Sequence, residues 1–227
     1  MSNFYIVSTP IGNLEDMSFR AVRVLKEVDL ILCEDTRVTG KLLKHYDIQN
    51  KTQSYHAQSK LYKIDQIIDL LSEGKNIALV SDAGTPTISD PGILLVQKIK
   101  EELKDVKIIA VPGASALLSA MVGAGINSHE FVFLGFLPHK KGRETLFREI
   151  ENSKRTVVFY ESVHRIEKTL ESLKNILGDE RKIAIARELT KMFEETVTGN
   201  ASEVLNYFTI NKDKIRGEFV VIVEGKK

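Results

Sequence analysis

The chain has a single cysteine, Cys33, so no intramolecular disulfide can form, which suits a reducing compartment. No apolar stretch approaches the roughly 20 residues of a membrane-spanning helix. Met1-Ser2-Asn3-Phe4 runs straight into a strand-like segment without the pattern of a signal peptide. Net charge is nearly absent as well: 32 Lys and Arg balance 31 Asp and Glu, leaving +1. That excludes a uniformly basic nucleic-acid coat while leaving local patches open. These absences predict a cytoplasmic protein that does not associate with membranes.

Several motifs are missing too. There is no Gly-x-x-x-x-Gly-Lys-Ser/Thr phosphate loop, no Gly-x-Gly-x-x-Gly after the first strand-like run, and no Gly-x-Ser-x-Gly elbow. No Cys/His cluster has metal spacing, and the histidines at 45, 56, 129, 139 and 164 are scattered, so no metal site is predicted. Cys33 sits in an apolar run and reads as a packing residue.

What is present is an alternation of strand and helix patterns. Phe4–Val7, Asp29–Cys33, Ile77–Val80 and Val106–Val111 read as strands. Helices are predicted from Ser18 as N-cap, from Glu34–Arg37 through Leu43, over 60–71 with Gly74 beyond the end, to about Leu103, and near Leu117–Val122. At the start of the fourth of these helices Asp90 is the expected cap, with Pro91 in the first helical position. After Gly123–Ser128, the best linker candidate, strands are expected at Phe131–Phe136, Thr156–Tyr160, Lys182–Ala186 and Phe219–Val223. Helices fall at 141–151, 163–177 and 201–208. At 227 residues, 43% of them hydrophobic, the chain can hold two modest domains. The expectation is α/β: two α/β domains, 1–124 and 125–227, with mixed, largely parallel sheets.

The chemistry gathers in polar connections that directly follow strands: Ser8–Asn13, Glu34–Arg37, Ser81–Gly92, Pro112–Ala116, Glu161–Arg165 and Arg187–Glu195. Ser81–Gly92 packs two prolines, two glycines and two carboxylates into one strand-to-helix passage, where two to six residues suffice for a plain turn. If the strands run parallel, these connections share one rim of each sheet, where such folds bind ligands. Between His139 and Arg155 six cations (140, 141, 143, 148, 154, 155) outnumber three glutamates (144, 149, 151), a local excess able to grip phosphates. No aromatic interleaving supports base stacking there, so RNA would be held by backbone and shape.

Read in order, Ser8-Thr9-Pro10-Ile11-Gly12-Asn13-Leu14, Glu34-Asp35-Thr36-Arg37, Ser81–Gly92, Val111–Ala116, Gly135-Phe136-Leu137-Pro138, Glu161-Ser162-x-His164-Arg165 and Ala186–Lys191 resemble the RNA-modifying branch of the tetrapyrrole methylase family. The resemblance runs from Tyr5 to Glu224. It implies a homodimer that binds S-adenosylmethionine in a cleft between two α/β domains and methylates the 2′-hydroxyl of a cytidine in small-subunit (16S) ribosomal RNA. The substrate would be the 30S subunit or its precursor. Mapped onto matching positions, the donor-site residues are Pro10, Asp82, Gly84, Thr85, Ser115, Ala116, Tyr160, Arg187 and Gly217. After Tyr55-His56 the family carries Glu-His-Asn, where this chain reads Ala57-Gln58-Ser59.

Methyl transfer to a ribose hydroxyl is an in-line displacement, so alignment of oxygen, methyl and sulfur is the main task, worth roughly 7–11 kcal/mol. A base that takes the hydroxyl proton adds ~100-fold or more. Glu34, Asp35, Glu188 and Lys191, each in a rim loop, are the candidates for base or oxygen-orienting roles. Arg37, Arg165 and Arg187 would pair with RNA phosphate or with those carboxylates, and Lys140, Lys141 and Arg143 would add RNA contacts from the basic segment. Two other readings stay open: methylation of a tetrapyrrole carbon by the same donor, and a ribosome assembly factor that binds subunits without catalysis.

Overall fold

The computed structural model describes residues 2–56 and 61–226, so Ala57–Ser59 lie outside the described residues. The chain divides into two compact units, residues 1–115 and 116–227.

In the first unit β1 (Asn3–Val7), α1 (Phe19–Glu27), β2 (Leu30–Cys33), α2 (Thr36–His45), β3 (Thr52–Ser54), α3 (Leu61–Ser72), β4 (Ile77–Leu79), α4 (Ile93–Glu102) and β5 (Lys107–Val111) follow one another. The strands form a sheet in the order β3-β2-β4-β1-β5, every pair parallel. Alternate side chains explain the two helical layers. Val7, Ile31, Cys33 and Ala78 face α1 and α2, packing with Val24, Leu25 and Leu43. Phe4, Leu32, Ile77 and Leu79 face α3 and α4, packing with Ile67, Leu71, Leu95 and Ile99. Each of these large side chains, fully buried, contributes roughly 1.5–3 kcal/mol over an exposed one.

The cap of α1 is as expected: Ser18 Oγ accepts from the Ala21 amide at 3.1 Å. The cap of α4 is not. Gly92 occupies it at φ +128° with no side-chain bond, so Asp90 and Pro91 lie in the turn before the helix. Glycine is required there twice over, by its backbone angle and because a Cβ would sit 2.6 Å from Leu79 Cδ2. Gly92→Ala is expected to cost about 2 kcal/mol or more, read as a lower midpoint in denaturant unfolding.

The second unit contains α5 (Ala116–Gly123), β6 (Phe131–Phe136), α6 (Arg143–Asn152), β7 (Thr156–Ser162), α7 (Ile166–Leu177), β8 (Lys182–Arg187), β9 (Glu195–Asn200), α8 (Ala201–Ile210) and β10 (Glu218–Val223). The division precedes α5 instead of falling at 124/125, since α5 packs against β8 and β10. Sheet order is β6-β7-β10-β8-β9. Only β6–β7 is parallel; β10 runs antiparallel to both β7 and β8, as does β9 to β8. "Largely parallel" therefore describes the first sheet and the chain as a whole, while the second sheet is mixed. The shared rim survives nonetheless. Because β7 and β8 both oppose β10, they point the same way, and Ser162, Arg187, Glu195 and Glu218 stand at one end of the sheet. On one face α6, α7 and α8 bury Phe147, Ile150, Leu170, Leu173, Val204 and Phe208 against Phe159, Ile185, Phe219 and Val221.

Candidate functional site

In the first unit β1 and β4 are neighbours, yet α1 and α4, the helices that follow them, cover opposite faces. That is the topological switch point of the sheet, where the connections diverge and leave a crevice. The polar loops after β1 and β4 are tied across it. Thr9 and Gly84 exchange backbone bonds of 2.9 and 3.0 Å, and Thr9 Oγ1 donates to the Ser81 carbonyl at 3.1 Å. Ser8 Oγ and Thr85 Oγ1 lie 2.9 Å apart, and Thr85 Oγ1 donates at 3.4 Å to the carbonyl of Ala114, in the loop after β5. Thr87 and Ser89, at φ +73° and +64°, hold the Ser81–Gly92 loop in the left-handed region. For a β-branched threonine that is strained backbone of the kind found at ligand clamps.

Beside this knot lies a cavity of about 330 Å³. Thr9–Gly12 and Leu14 form one side, Val38, Thr39, Lys41 and Leu42 of α2 another, and Ser81–Ala83 the third. The sequence singles out Pro10 and Asp82 among these; the α2 residues carry only a helical spacing as signal.

Four acidic or thiol groups meet at the rim over β2 and β4. Asp82 is exposed and accepts from the Asp35 amide at 3.1 Å. Asp35 caps α2 and is gripped by Arg37, with Nη2–Oδ2 at 2.6 Å and Nε–Oδ1 at 3.0 Å; those bonds hold its carboxyl down to about 2. Burial raises Glu34 above the ordinary carboxylate range, with the Asp82 charge adding to the rise and His56 opposing it. Burial likewise raises the Cys33 thiol. Of the two acidic candidates here, Asp35 is committed to the cap and to Arg37, while Glu34 is half-buried with its proton affinity raised.

In the second unit the Arg187–Glu195 loop has the same strained signature, with Glu188 at φ +49° and Thr190 at +65°. Lys191 Nζ pairs with Glu188 Oε1 at 3.0 Å. Gly217 lies against that carboxylate; a Cβ there would come within 2.2 Å of Glu188 Oε1. Arg187 is 6% exposed and donates from Nη1 to the Phe193 carbonyl and to Glu195 Oε2, while its buried Nε has no hydrogen-bond partner. Glu195 is further held by Lys214 at 2.6 Å and by the Tyr207 hydroxyl at 2.5 Å. Tyr160 stacks edge-on with Phe133 and packs against Phe136. Ser115 closes the first unit, and Ala116 opens α5 in the second.

Of the cations expected on RNA, Arg37 is paired with Asp35 at the surface, and Arg143 and Arg165 are drawn inward. Glu161 is fully buried between Arg143 (2.9 Å) and Arg165 (2.7 Å), and Thr169 Oγ1 donates to it at 2.8 Å. Arg37, Lys140 and Lys141 are exposed. Among the described residues no group of three or more His, Cys, Asp or Glu could hold a metal, and no helix is long and apolar enough to cross a membrane.

Two loop-crowned α/β units, the first with a knotted switch point, define a methylase-type architecture. The chain belongs to the tetrapyrrole (corrin/porphyrin) methylase family, whose profile matches residues 3–205. It is 48% identical to ribosomal RNA small subunit methyltransferase I of Halalkalibacterium halodurans over 97% of this chain and 75% of that protein. The protein of the same name from Bacillus subtilis is 47% identical over 99% of this chain and 76% of its own. Among solved structures, cobalt precorrin-4 methyltransferase superposes with a TM-score of 0.69 at 17% identity, covering 98% and 94% of the two chains. Uroporphyrin-III C-methyltransferase from Thermus thermophilus, complexed with S-adenosylhomocysteine, gives 0.64 at 18%, covering 99% and 97%.

Proposed function

We propose that the protein transfers a methyl group from S-adenosylmethionine to the 2′-hydroxyl of a cytidine in small-subunit ribosomal RNA. The observation that carries this reading is the 46–48% identity, over nearly the whole chain, to proteins named small subunit ribosomal RNA methyltransferases. The first rim also fits the donor. Asp82 offers an exposed carboxylate to a cationic ligand, and Gly84, at φ +79°, anchors the loop beside it through its backbone bonds to Thr9. In the second unit the orphaned Arg187 Nε is a donor in need of an acceptor, such as the carboxylate of an amino-acid group.

The donor supplies a methyl group already activated on a sulfonium. Pro10, Asp82, Gly84, Thr85 and Ser115 of the first unit would hold it. The chain's own chemical contribution is to orient the ribose oxygen and accept its proton. Glu34 is the group assigned that role, because burial and Asp82 move its proton affinity upward, toward working pH. Lys191, paired with Glu188, and Glu188 itself are assigned to orienting the acceptor strand, and Arg37, Lys140 and Lys141 to its phosphates.

Two measurements test the reading. Purified protein with labelled donor should mark small subunits that lack the modification and leave porphyrinoids unlabelled; the reverse pattern transfers the protein to the tetrapyrrole branch, and subunit binding without label makes it an assembly factor. Glu34→Gln should bind donor normally and lose roughly 100-fold in single-turnover rate. In the parent, activity should fall as pH drops through a value above 4.5, since Glu34 must be ionised to act. An unchanged acid limb in Glu34→Gln would exclude it as the base.

A further inference from the structure

Helix α2 contains Arg37, Lys41, Lys44 and His45 and no acidic residue. Arg37, Lys41 and Lys44 recur at helical spacing on one exposed face. Val38 and Leu42, one position further round, line the cavity of the first unit. A basic row thus runs alongside an apolar wall. That pairing suits a nucleotide taken out of its strand, with phosphates outside and the base within.

We propose that this cavity receives the nucleoside to be methylated, extruded from the RNA, its base between the Val38–Leu42 wall and Pro10–Ile11, with the flanking phosphates along Arg37, Lys41 and Lys44. The assignment rests on the RNA methyl-transfer reading above. At about 330 Å³ the cavity has room for a single small ligand and none for a duplex, so the nucleoside must leave its stack. Its location agrees. The cavity opens on the α2 side of the Thr9–Gly84 bridge, whereas Thr85, a donor-site residue, bonds toward Ser8 and Ala114, over β1 and β5. Pro10 and Asp82 stand at the common wall, where donor and acceptor must meet for an in-line transfer.

The test fills the cavity without touching the core, because Val38 is 40% exposed. Val38→Trp should keep its affinity for S-adenosylhomocysteine in calorimetry and lose ~100-fold in kcat/KM on small subunits. Val38→Phe, a smaller filling, should lie between the two and guards against misfolding of the first variant. Lys41→Gln and Lys44→Gln should each raise KM and make the salt slope of RNA binding shallower by about one. A binding readout stands apart from turnover: with S-adenosylhomocysteine present, cytidine 5′-monophosphate should show saturation transfer from the parent protein and none from Val38→Trp. Wild-type turnover in Val38→Trp overturns the proposal, and donor affinity that falls in step with turnover gives the cavity to the donor. A Val38-dependent nucleotide contact in a protein that methylates no subunit keeps the cavity assignment and sinks the activity. Methylation without any such contact does the opposite.

Discussion

Asp82→Ala is expected to lower donor affinity at least ~100-fold, about 2.7 kcal/mol, and to take turnover below detection. The side chain stands exposed on the loop after β4, which the Thr9–Gly84 bridge and the Ser81 contacts hold in place without it. Its removal therefore subtracts a charge from the rim and leaves the loop's own ties intact. One of its bonds is structural: it accepts from the Asp35 amide at the cap of α2. Asp82→Asn separates the two roles, because an amide oxygen can still accept that bond while carrying no charge. If the charge holds the donor, Asn and Ala bind equally poorly in calorimetry; if the cap matters, Asn binds like the parent. A near-normal affinity in both variants removes Asp82 from the site. A second readout comes from Glu34. Burial is the first cause of its raised proton affinity and the Asp82 charge the second, so in Asp82→Asn at saturating donor the acid limb of the rate profile moves to lower pH. The sign is fixed, since a lost negative neighbour makes a carboxyl easier to ionise.

Much of this arrangement was legible in the residues, for physical reasons that also mark where legibility ends. Buried central strands such as Ile77–Leu79 and Phe219–Val223 announce themselves by continuous apolar runs, and Ser18 announces α1 by the cap it supplies. β3 (Thr-Gln-Ser) and β9 (Glu-Thr-Val-Thr-Gly-Asn) do not, because they are edge strands half open to water and need little apolar content. Asp90-Pro91 carries a cap-like pattern that local chemistry alone cannot refuse. Packing decides against it: the chain must pass within contact of Leu79, where only Gly92 fits. The rim loops stood out as candidates because their polarity exceeds what a turn needs. The cavity wall on α2 was not, since Val38 and Leu42 read as ordinary helix residues until the loops after β1 and β4 stand opposite them.

The charged residues of the second unit give the sharpest contrast, and with it the largest expected effect on stability. By type and neighbourhood Arg143 and Arg165 look like phosphate ligands; in the fold each is about five-sixths buried against Glu161, with exposures of 17% and 16% beside a carboxylate at 0%. Each guanidinium also donates to a neighbouring carbonyl, Arg143 to Pro138 and Arg165 to Leu137, so the pair pins the turn that leads to Lys140 and Lys141. Glu161→Ala leaves two buried cations facing each other with no anion between them. Breaking a buried ion pair in this way costs roughly 3–5 kcal/mol, because the stranded charge keeps its desolvation penalty. For a unit of residues 116–227 that corresponds to a fall in the midpoint of thermal unfolding on the order of 15 °C. Glu161→Gln should lose less, since its single amide oxygen keeps one of the two bonds that the Glu161 carboxylate accepts at 2.8 Å, from Thr169 Oγ1 or from the Ser162 amide. Were the two arginines instead free to bind RNA, Glu161→Ala would melt like the parent and steepen the salt dependence of subunit binding. Calorimetric melting of the three proteins, with subunit binding at two salt concentrations, decides between a clamp that shapes the loop and a pair of cations that touch the substrate.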